Sequence, residues 1–214
     1  KNEVALVSFV RGDQSKDVGE LEQHCEAVHT VPMERGIVRD GLAMARSMVT
    51  GQPWMMVRDD RVAMRRLVDR VAEEGSFDVV YADQFNMVQY ATRVDGAFKL
   101  LDAHNALWLL YRRLAATMGV GPKRWLLERD WRLLKRYEGS IVRGFDAVLA
   151  VTEEDRSSLL EAAGVEREIV VMPIAVDVDE VQPVTRRTGA NHILHLGTMY
   201  WPPNIDGVLW FIHE

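Results

Sequence analysis

Short apolar runs alternate along this chain with longer stretches whose apolar residues recur every three or four positions. That alternation predicts strands joined by helices. The runs are "EVALVSF" (Glu3–Phe9), "AVHTVP" (Ala27–Pro32), "FDVVYAD" (Phe77–Asp83), "KLLDAHN" (Lys99–Asn105), "DAVLAVT" (Asp146–Thr152), "EIVVMPIAV" (Glu168–Val176) and "HILHLGT" (His192–Thr198). The four from Phe77 to Val176 are short and nearly continuously apolar, as strands covered on both faces should be. A long helical stretch is predicted from Ile37 to Glu74, broken near Gly51-Gln52-Pro53. Another spans Lys123–Phe145, with Leu127, Trp131, Leu134, Ile141 and Phe145 near helical spacing. "TEEDRSSLLEAAG" carries its own boundaries: Thr152 can N-cap, Asp155 occupies the third helical position, and Gly164 terminates. The fold class this predicts is α/β, a Rossmann-like, mostly parallel sheet with helices on both faces.

Composition narrows the classes. The 214 residues are 48% hydrophobic and 27% charged, with net charge -6 and sequence pI ≈ 5.6, which argues against a nucleic-acid partner. Cys25 is the only cysteine, so no intramolecular disulfide can form and a reducing, cytoplasmic setting fits best. No apolar run approaches the ~20 residues needed to span a bilayer. Lys1 leads at once into a strand, and "HLGTMYWPPNIDGVLWFIHE" (His195–Glu214) reads as the opening of a strand–loop–helix unit. Both features suggest an internal piece of a longer polypeptide. The polar segment Asp179–Asn191, with Pro183 and Gly189, is the expected linker.

Few residues carry chemistry in their pattern. His104 ends an apolar strand, and ligands of open α/β sheets collect at the carboxyl ends of strands. Equally, His104 or Asn105 could simply cap the helix that follows. The "DVD" at Asp177–Asp179 looks like a metal-holding carboxylate pair, but chance alone yields about one D-x-D in a chain this rich in aspartate. Asp102-x-His104 supplies two ligands without a third. No glycine-rich dinucleotide or P-loop motif is present, and neither Cys25 nor Ser157-Ser158 lies near a histidine pattern that would activate a nucleophile. Between Lys123 and Arg143 lie seven basic and three acidic residues with Trp125 and Trp131. These read either as a membrane-surface face or, more simply, as a core stripe with a solvated basic back.

Four segments in order, "LLDAHNALWLLYRRLA", "YEGSIVRGFDAVLAVTEEDRSSL", "VVMPIAVDVD" and "HILHLGTMYWPPNIDGVLWF", are similar to a GT-B glycosyltransferase of family 4 (group 1), of the exopolysaccharide type. The resemblance covers nearly the whole chain. It implies an acceptor-side Rossmann-like domain over residues 1–178 that lacks its first strand, a linker over 179–191, and the start of a donor-nucleotide domain over 192–214. The absent strand would sit between Glu3–Phe9 and Phe77–Asp83, so those two should either pair or stand apart. By position, His104 matches the catalytic-site histidine that reaches the transferred sugar. Asn105, Thr152, Glu153, Gly197, Thr198 and Asn204 fall at substrate-binding positions, the last three around the loop that approaches the nucleotide diphosphate.

The implied reaction is a retaining, metal-independent sugar transfer without cofactor, from a nucleotide-sugar donor to a glycan or lipid-linked acceptor. It would take place in the cytoplasm, with peripheral contact at the inner face of the membrane. Residues 1–214 alone are expected to be inactive. Three departures stand against the pattern: "MPIAVD" replaces Pro-Asn-Gly-Val-Asp, no basic pair follows Gly197, and the family's downstream glutamate motif is not among these residues. Two other readings stay open. One is a non-catalytic Rossmann-like binding domain, and the other a different GT-B enzyme such as a sugar-nucleotide epimerase or a phosphorylase.

Overall fold

The structure, a computed structural model, describes every residue except Lys1, Asp13, Gln182, Pro183, Arg186, Tyr200 and Trp201, and all side chains of the remainder except Ser15, Lys16, Pro202 and Pro203. The chain forms two compact units, Lys1–Ile174 and Ala175–Glu214. The first contains, in order, β1 (Ala5–Val10), α1 (Ser15–Leu21), β2 (Ala27–Pro32), α2 (Ile37–Thr50), α3 (Trp54–Asp59), α4 (Val62–Glu74), β3 (Val79–Asp83), α5 (Val88–Ala91), β4 (Phe98–Ala103), α6 (Leu107–Thr117), α7 (Pro122–Gly144), β5 (Ala147–Ala150), α8 (Glu153–Ala163) and β6 (Val170–Val171). The second contains α9 (Pro202–His213).

All strand pairs are parallel. β1 pairs with β2, and a second sheet has the order β3-β4-β5-β6. The protein is thus α/β with parallel sheets. β1 and β3 do not pair with each other, the second of the two arrangements allowed for them above. Both nevertheless pack on one layer of helices: Val7 and Phe9 of β1 and Val80 of β3 meet a cluster made by Val31, Met64, Leu67, Val68, Tyr90 and Val94. The larger core lies between β3–β5 and α6–α8, around Leu101, Ala103, Trp108, Leu134, Val148 and Leu159. Because the four strands of the second sheet run the same way, the residues following β3, β4 and β5 emerge at one rim.

Local signals placed the helix ends. Gly51 sits in the left-handed region (φ 68) and stops α2, Pro53 precedes α3, and a further break at Asp60-Arg61 separates α4. Thr152 caps α8 by accepting the Asp155 amide at 3.1 Å, and Gly164 (φ 63) ends it. α7 packs so closely on α8 that a Cβ at Gly139 would lie 2.1 Å from the Ala162 carbonyl oxygen, so only glycine fits.

Three expectations are corrected. The strand expected at His192–Thr198 does not form: no described strand in the second unit offers a ladder, and Ile193, Leu194 and Leu196 are exposed. The run Glu168–Val176 pairs over Val170–Val171 alone. Coverage of both faces also fails for β3 and the start of β4, where Val79, Tyr81 and Phe98 are about half exposed while Ala82, Leu101 and Ala103 are buried. The aromatic residues of the turn before α9, Tyr200 and Trp201, lie outside the described residues, as does Pro183 of the expected linker.

Candidate functional site

The parallel register sets Asp83, the last residue of β3, opposite Asp102 of β4, with Tyr81 two residues back on the same face as Asp83. His104 follows β4 directly and closes the cluster. Its Nε2 lies 2.9 Å from Asp83 Oδ1 and 3.8 Å from Asp102 Oδ2, and its Nδ1 lies 3.5 Å from the Gln84 side-chain amide. In the tautomer that places the proton on Nε2, toward the carboxylates, Nδ1 is the acceptor toward Gln84. Tyr81 donates its hydroxyl hydrogen to Asp102 Oδ2. Burial pushes the Tyr81 phenol far above its ordinary value, and the bond to Asp102 and the charges of Asp102 and Asp83 add to that. Tyr81 therefore remains a donor across the physiological range.

Gln84 makes the turn out of β3 with φ 71, the only non-glycine in the left-handed region among the described residues. Such a conformation is held by its surroundings. Here the Gln84 amide donates to the Asp102 carbonyl at 3.0 Å, stitching the two strand ends together. The imidazole and the Asp83 carboxylate remain open to solvent, at 39% and 63% side-chain exposure. Donor and acceptor atoms so placed suit a polyhydroxylated ligand, whose hydroxyl groups both give and take hydrogen bonds.

Neither His104 nor Asn105 caps α6. The N-cap is Ala106, and no side chain of its own segment bonds to that end. Asp155 Oδ1 accepts from the Ala106 amide at 2.9 Å, and Glu138 Oε1 accepts from the Trp108 amide at 2.9 Å. Asp155 Oδ2 in turn accepts from the Thr152 hydroxyl at 2.5 Å. Two carboxylates from α7 and α8 thus satisfy the orphan donors of α6, and the loop carrying His104 is relieved of that duty.

His104 and Thr152 stand at the carboxyl ends of adjacent strands, β4 and β5, and Asp155 joins Thr152 to the amide of Ala106, two residues beyond His104. Asn105 is exposed. Thr152 spends its hydroxyl within the start of α8, and Glu153 pairs with Arg156. In the second unit, Gly197, Thr198 and Asn204 come together before and within α9. The Asn204 amide donates to the Thr198 carbonyl at 3.1 Å, and a Cβ at Gly197 would come within 2.8 Å of His195 Nε2 and 3.1 Å of Asn204 Nδ2.

Tyr81, Asp83, Gln84 and Glu138 escaped the sequence reading. A signal for Asp83 existed, since it ends an apolar strand as the Asp102–His104 segment does, and neighbouring parallel strands bring such ends together. On α7 the simpler reading holds for Trp131, which packs on Trp108 with ring centroids 6.3 Å apart. Basic residues of that helix also serve the fold: Arg129 donates to the Ser47 carbonyl at 2.5 Å and Lys135 pairs with Glu161 at 2.5 Å. Among the described residues, no three His, Cys, Asp or Glu side chains are grouped to hold a metal ion, and no helix is long and apolar enough to cross a membrane. Compared with protein-family models, curated proteins and solved structures, the chain matches none.

Proposed function

We propose that this protein takes part in transfer of a sugar from a nucleotide-sugar donor to a glycan, lipid-linked or other acceptor, in surface or exopolysaccharide synthesis, with retention of configuration. The observation that supports this most is His104: it stands at the carboxyl end of a central strand, is fastened at Nε2 by Asp83, and has no part in capping α6. In this reading a sugar hydroxyl displaces the long Gln84 contact of 3.5 Å and donates to His104 Nδ1, so that His104 orients the transferred sugar and is not a nucleophile. Asp83 fixes the ring, and the free oxygen of Asp83 is available to a sugar hydroxyl. The Gly197–Thr198 backbone ahead of α9 would approach the diphosphate, where the helix N-terminus favours negative charge.

A non-catalytic Rossmann-like binding domain is the second reading, favoured by Thr152 and Glu153 already being engaged within α8. One experiment separates the two: radiolabelled transfer from UDP- and GDP-sugars by the full-length polypeptide and its His104→Ala variant. Loss of a positioning contact typically costs a factor of ~10²–10⁴ in rate, so the variant should fall by that much with an unchanged melting temperature. Retained transfer with a lowered melting temperature would make His104 a structural residue. No transfer and no saturable sugar-nucleotide binding by the parent protein would favour the non-catalytic domain.

A further inference from the structure

The carboxyl ends of β1 and β2 are followed by arginines. Arg11 comes directly after β1, and Arg35 lies three residues beyond β2. Val10 pairs with Pro32, and the Met33 amide donates to the Val10 carbonyl at 2.8 Å, so the two strand ends stay together. Ligands of open parallel sheets collect at such ends. An open recess of about 370 Å³ lies here, lined by Glu34, Arg35, Gly36, Val38, Arg39 and Leu42. Small-ligand sites span about 300–1,000 Å³, so the space suffices. The loop along it is pinned, because the Glu34 carbonyl accepts from Arg61 Nη2 at 3.0 Å and from Arg39 Nη1 at 3.3 Å.

The recess gathers more positive charge than its carboxylates answer. Asp59, nearly buried, is shared: Arg35 Nη2 lies 3.0 Å from its Oδ1, and Arg58 holds the same carboxylate at 3.0 and 3.2 Å. Arg39 meets the exposed Glu34 carboxylate only at 3.7 Å. Asp60 is taken by Arg46 and Arg65, at 3.5 and 3.3 Å. Around the recess, among the described residues, the guanidiniums of Arg11, Arg35, Arg39, Arg58 and Arg61 thus have Glu34, Asp40 and Asp59 to answer them. Five cations against three anions leave an excess of two, in a chain whose net charge is -6. Partial burial, with the charges of Arg58 and Arg11, pushes the Arg35 guanidinium below its ordinary value, against the pull of Asp59 and Asp40. An excess of two selects a dianion. A phosphate monoester carries close to two negative charges at neutral pH and offers oxygens that guanidinium forks take in pairs, whereas a carboxylate brings one charge. The other wall of the recess is apolar. Val38 and Leu42 are 78% and 67% exposed, and they begin an outward stripe of α2 that continues through Ala45 and Val49. An organic group esterified to the phosphate covers part of that wall, which inorganic phosphate leaves bare.

We propose that this recess binds a small, soluble phosphate monoester, with the phosphate between Arg35 and Arg39 and the organic part against Val38 and Leu42. The site uses none of the residues of the His104 cluster, so it stands or falls separately from sugar transfer.

Isothermal titration calorimetry of the intact protein tests it, with glucose 6-phosphate as the probe and glucose, glucuronate and inorganic phosphate as comparisons. Saturable binding of glucose 6-phosphate is expected, glucose should give none, and glucuronate and inorganic phosphate should bind more weakly. Affinity for glucose 6-phosphate should fall as pH drops below about 6, where the phosphate loses its second charge. Arg39→Gln removes one charge-assisted contact and should weaken binding at least about tenfold. Arg39 is half exposed and stands apart from the Asp59 pairs, so this variant should keep the parent melting temperature. Arg46→Gln, at a similarly exposed arginine one heptad along α2 and outside the recess, should bind like the parent. No saturable binding of glucose 6-phosphate, equal binding of glucuronate or inorganic phosphate, or binding unmoved by Arg39→Gln overturns the proposal. Binding confined to vesicles of phosphatidylcholine with phosphatidylglycerol would also overturn it, and would assign the guanidiniums to a lipid headgroup.

Discussion

Glu138 offers the sharpest physical test of how this fold is held. Its side chain is fully buried in α7; Oε1 accepts the Trp108 amide, and Oε2 has no hydrogen-bond partner. Burial pushes its carboxyl well above the ordinary value, a shift that the Trp108 and Leu107 amides oppose without cancelling and that the charge of Asp155 reinforces. The folded protein therefore keeps a proton that the unfolded chain releases. Below the unfolded value near 4.5 both states hold the proton, and the contribution is fully present. As pH rises from there to the folded value, the unfolded state alone ionises and stability drains away at about 1.4 kcal/mol per pH unit. Above the folded value the loss is complete and the curve is flat again.

Glu138→Gln removes the titration while keeping an acceptor for the Trp108 amide. Urea unfolding of both proteins, followed from pH 4.5 upward by circular dichroism, isolates the effect, because every other titrating group cancels in the difference. The parent should lose ground to the glutamine variant as pH rises, by about 1 kcal/mol over the first unit beyond the unfolded value and by up to about 1.4 kcal/mol per unit after that until the folded value is reached. Glu138→Ala serves as the contrast: it leaves the α6 amide without its acceptor and opens a cavity, a loss of about 2–4 kcal/mol relative to the glutamine variant at any pH. A difference between parent and glutamine variant that stays flat from pH 4.5 to neutrality would refute the reasoning, since it would mean that Glu138 ionises in the fold as it does in water.

Other outcomes follow from single contacts. Gly139→Ala drives a methyl group into the Ala162 carbonyl oxygen, where backbone must move; the expected loss is about 3 kcal/mol or more in urea unfolding, and a loss under about 1 kcal/mol would mean that α7 and α8 can slide apart easily. Thr152→Ala removes the cap of α8 and should cost about 1 kcal/mol, with Thr152→Ser restoring most of it. Asp83→Asn keeps a side chain of the same shape but weakens the hold on His104 Nε2; transfer by the full-length polypeptide should fall by a factor of ~10–10² with little change in melting temperature, and an unchanged rate would remove Asp83 from the site.

What the sequence shows well is what a few adjacent residues decide. The break at Gly51-Gln52-Pro53, the Thr152 cap and the Gly164 stop are each written within four residues of where they act, and each forms as read. Strands are harder, because a strand is a relation between two segments. "HILHLGT" has the apolar run and the glycine of a strand end, yet it has no ladder in its own unit and does not become one. The outward stripe of α2 shows the same limit for helices. Periodicity in Val38, Leu42, Ala45 and Val49 reveals that an apolar face exists, but the period is identical whether that face meets the core or the solvent.

Whether His104 caps α6 is undecidable from sequence for a related reason. A polar residue between a strand and a helix can serve the helix or serve a ligand, and both uses select the same short stretch. The answer came from residues far along the chain: Asp155 is 49 positions from the amide it caps, and Glu138 is 30 from its own. Once those two carboxylates satisfy the α6 donors, nothing in the helix requires His104. What holds the imidazole instead is a second strand end, Asp83, with Gln84 bent into the left-handed region and Tyr81 spent on Asp102. Held firmly at Nε2 alone, with only a 3.5 Å contact at Nδ1, not used as a cap and left 39% exposed at the carboxyl rim of a parallel sheet, His104 has the placement that the proposed sugar contact requires.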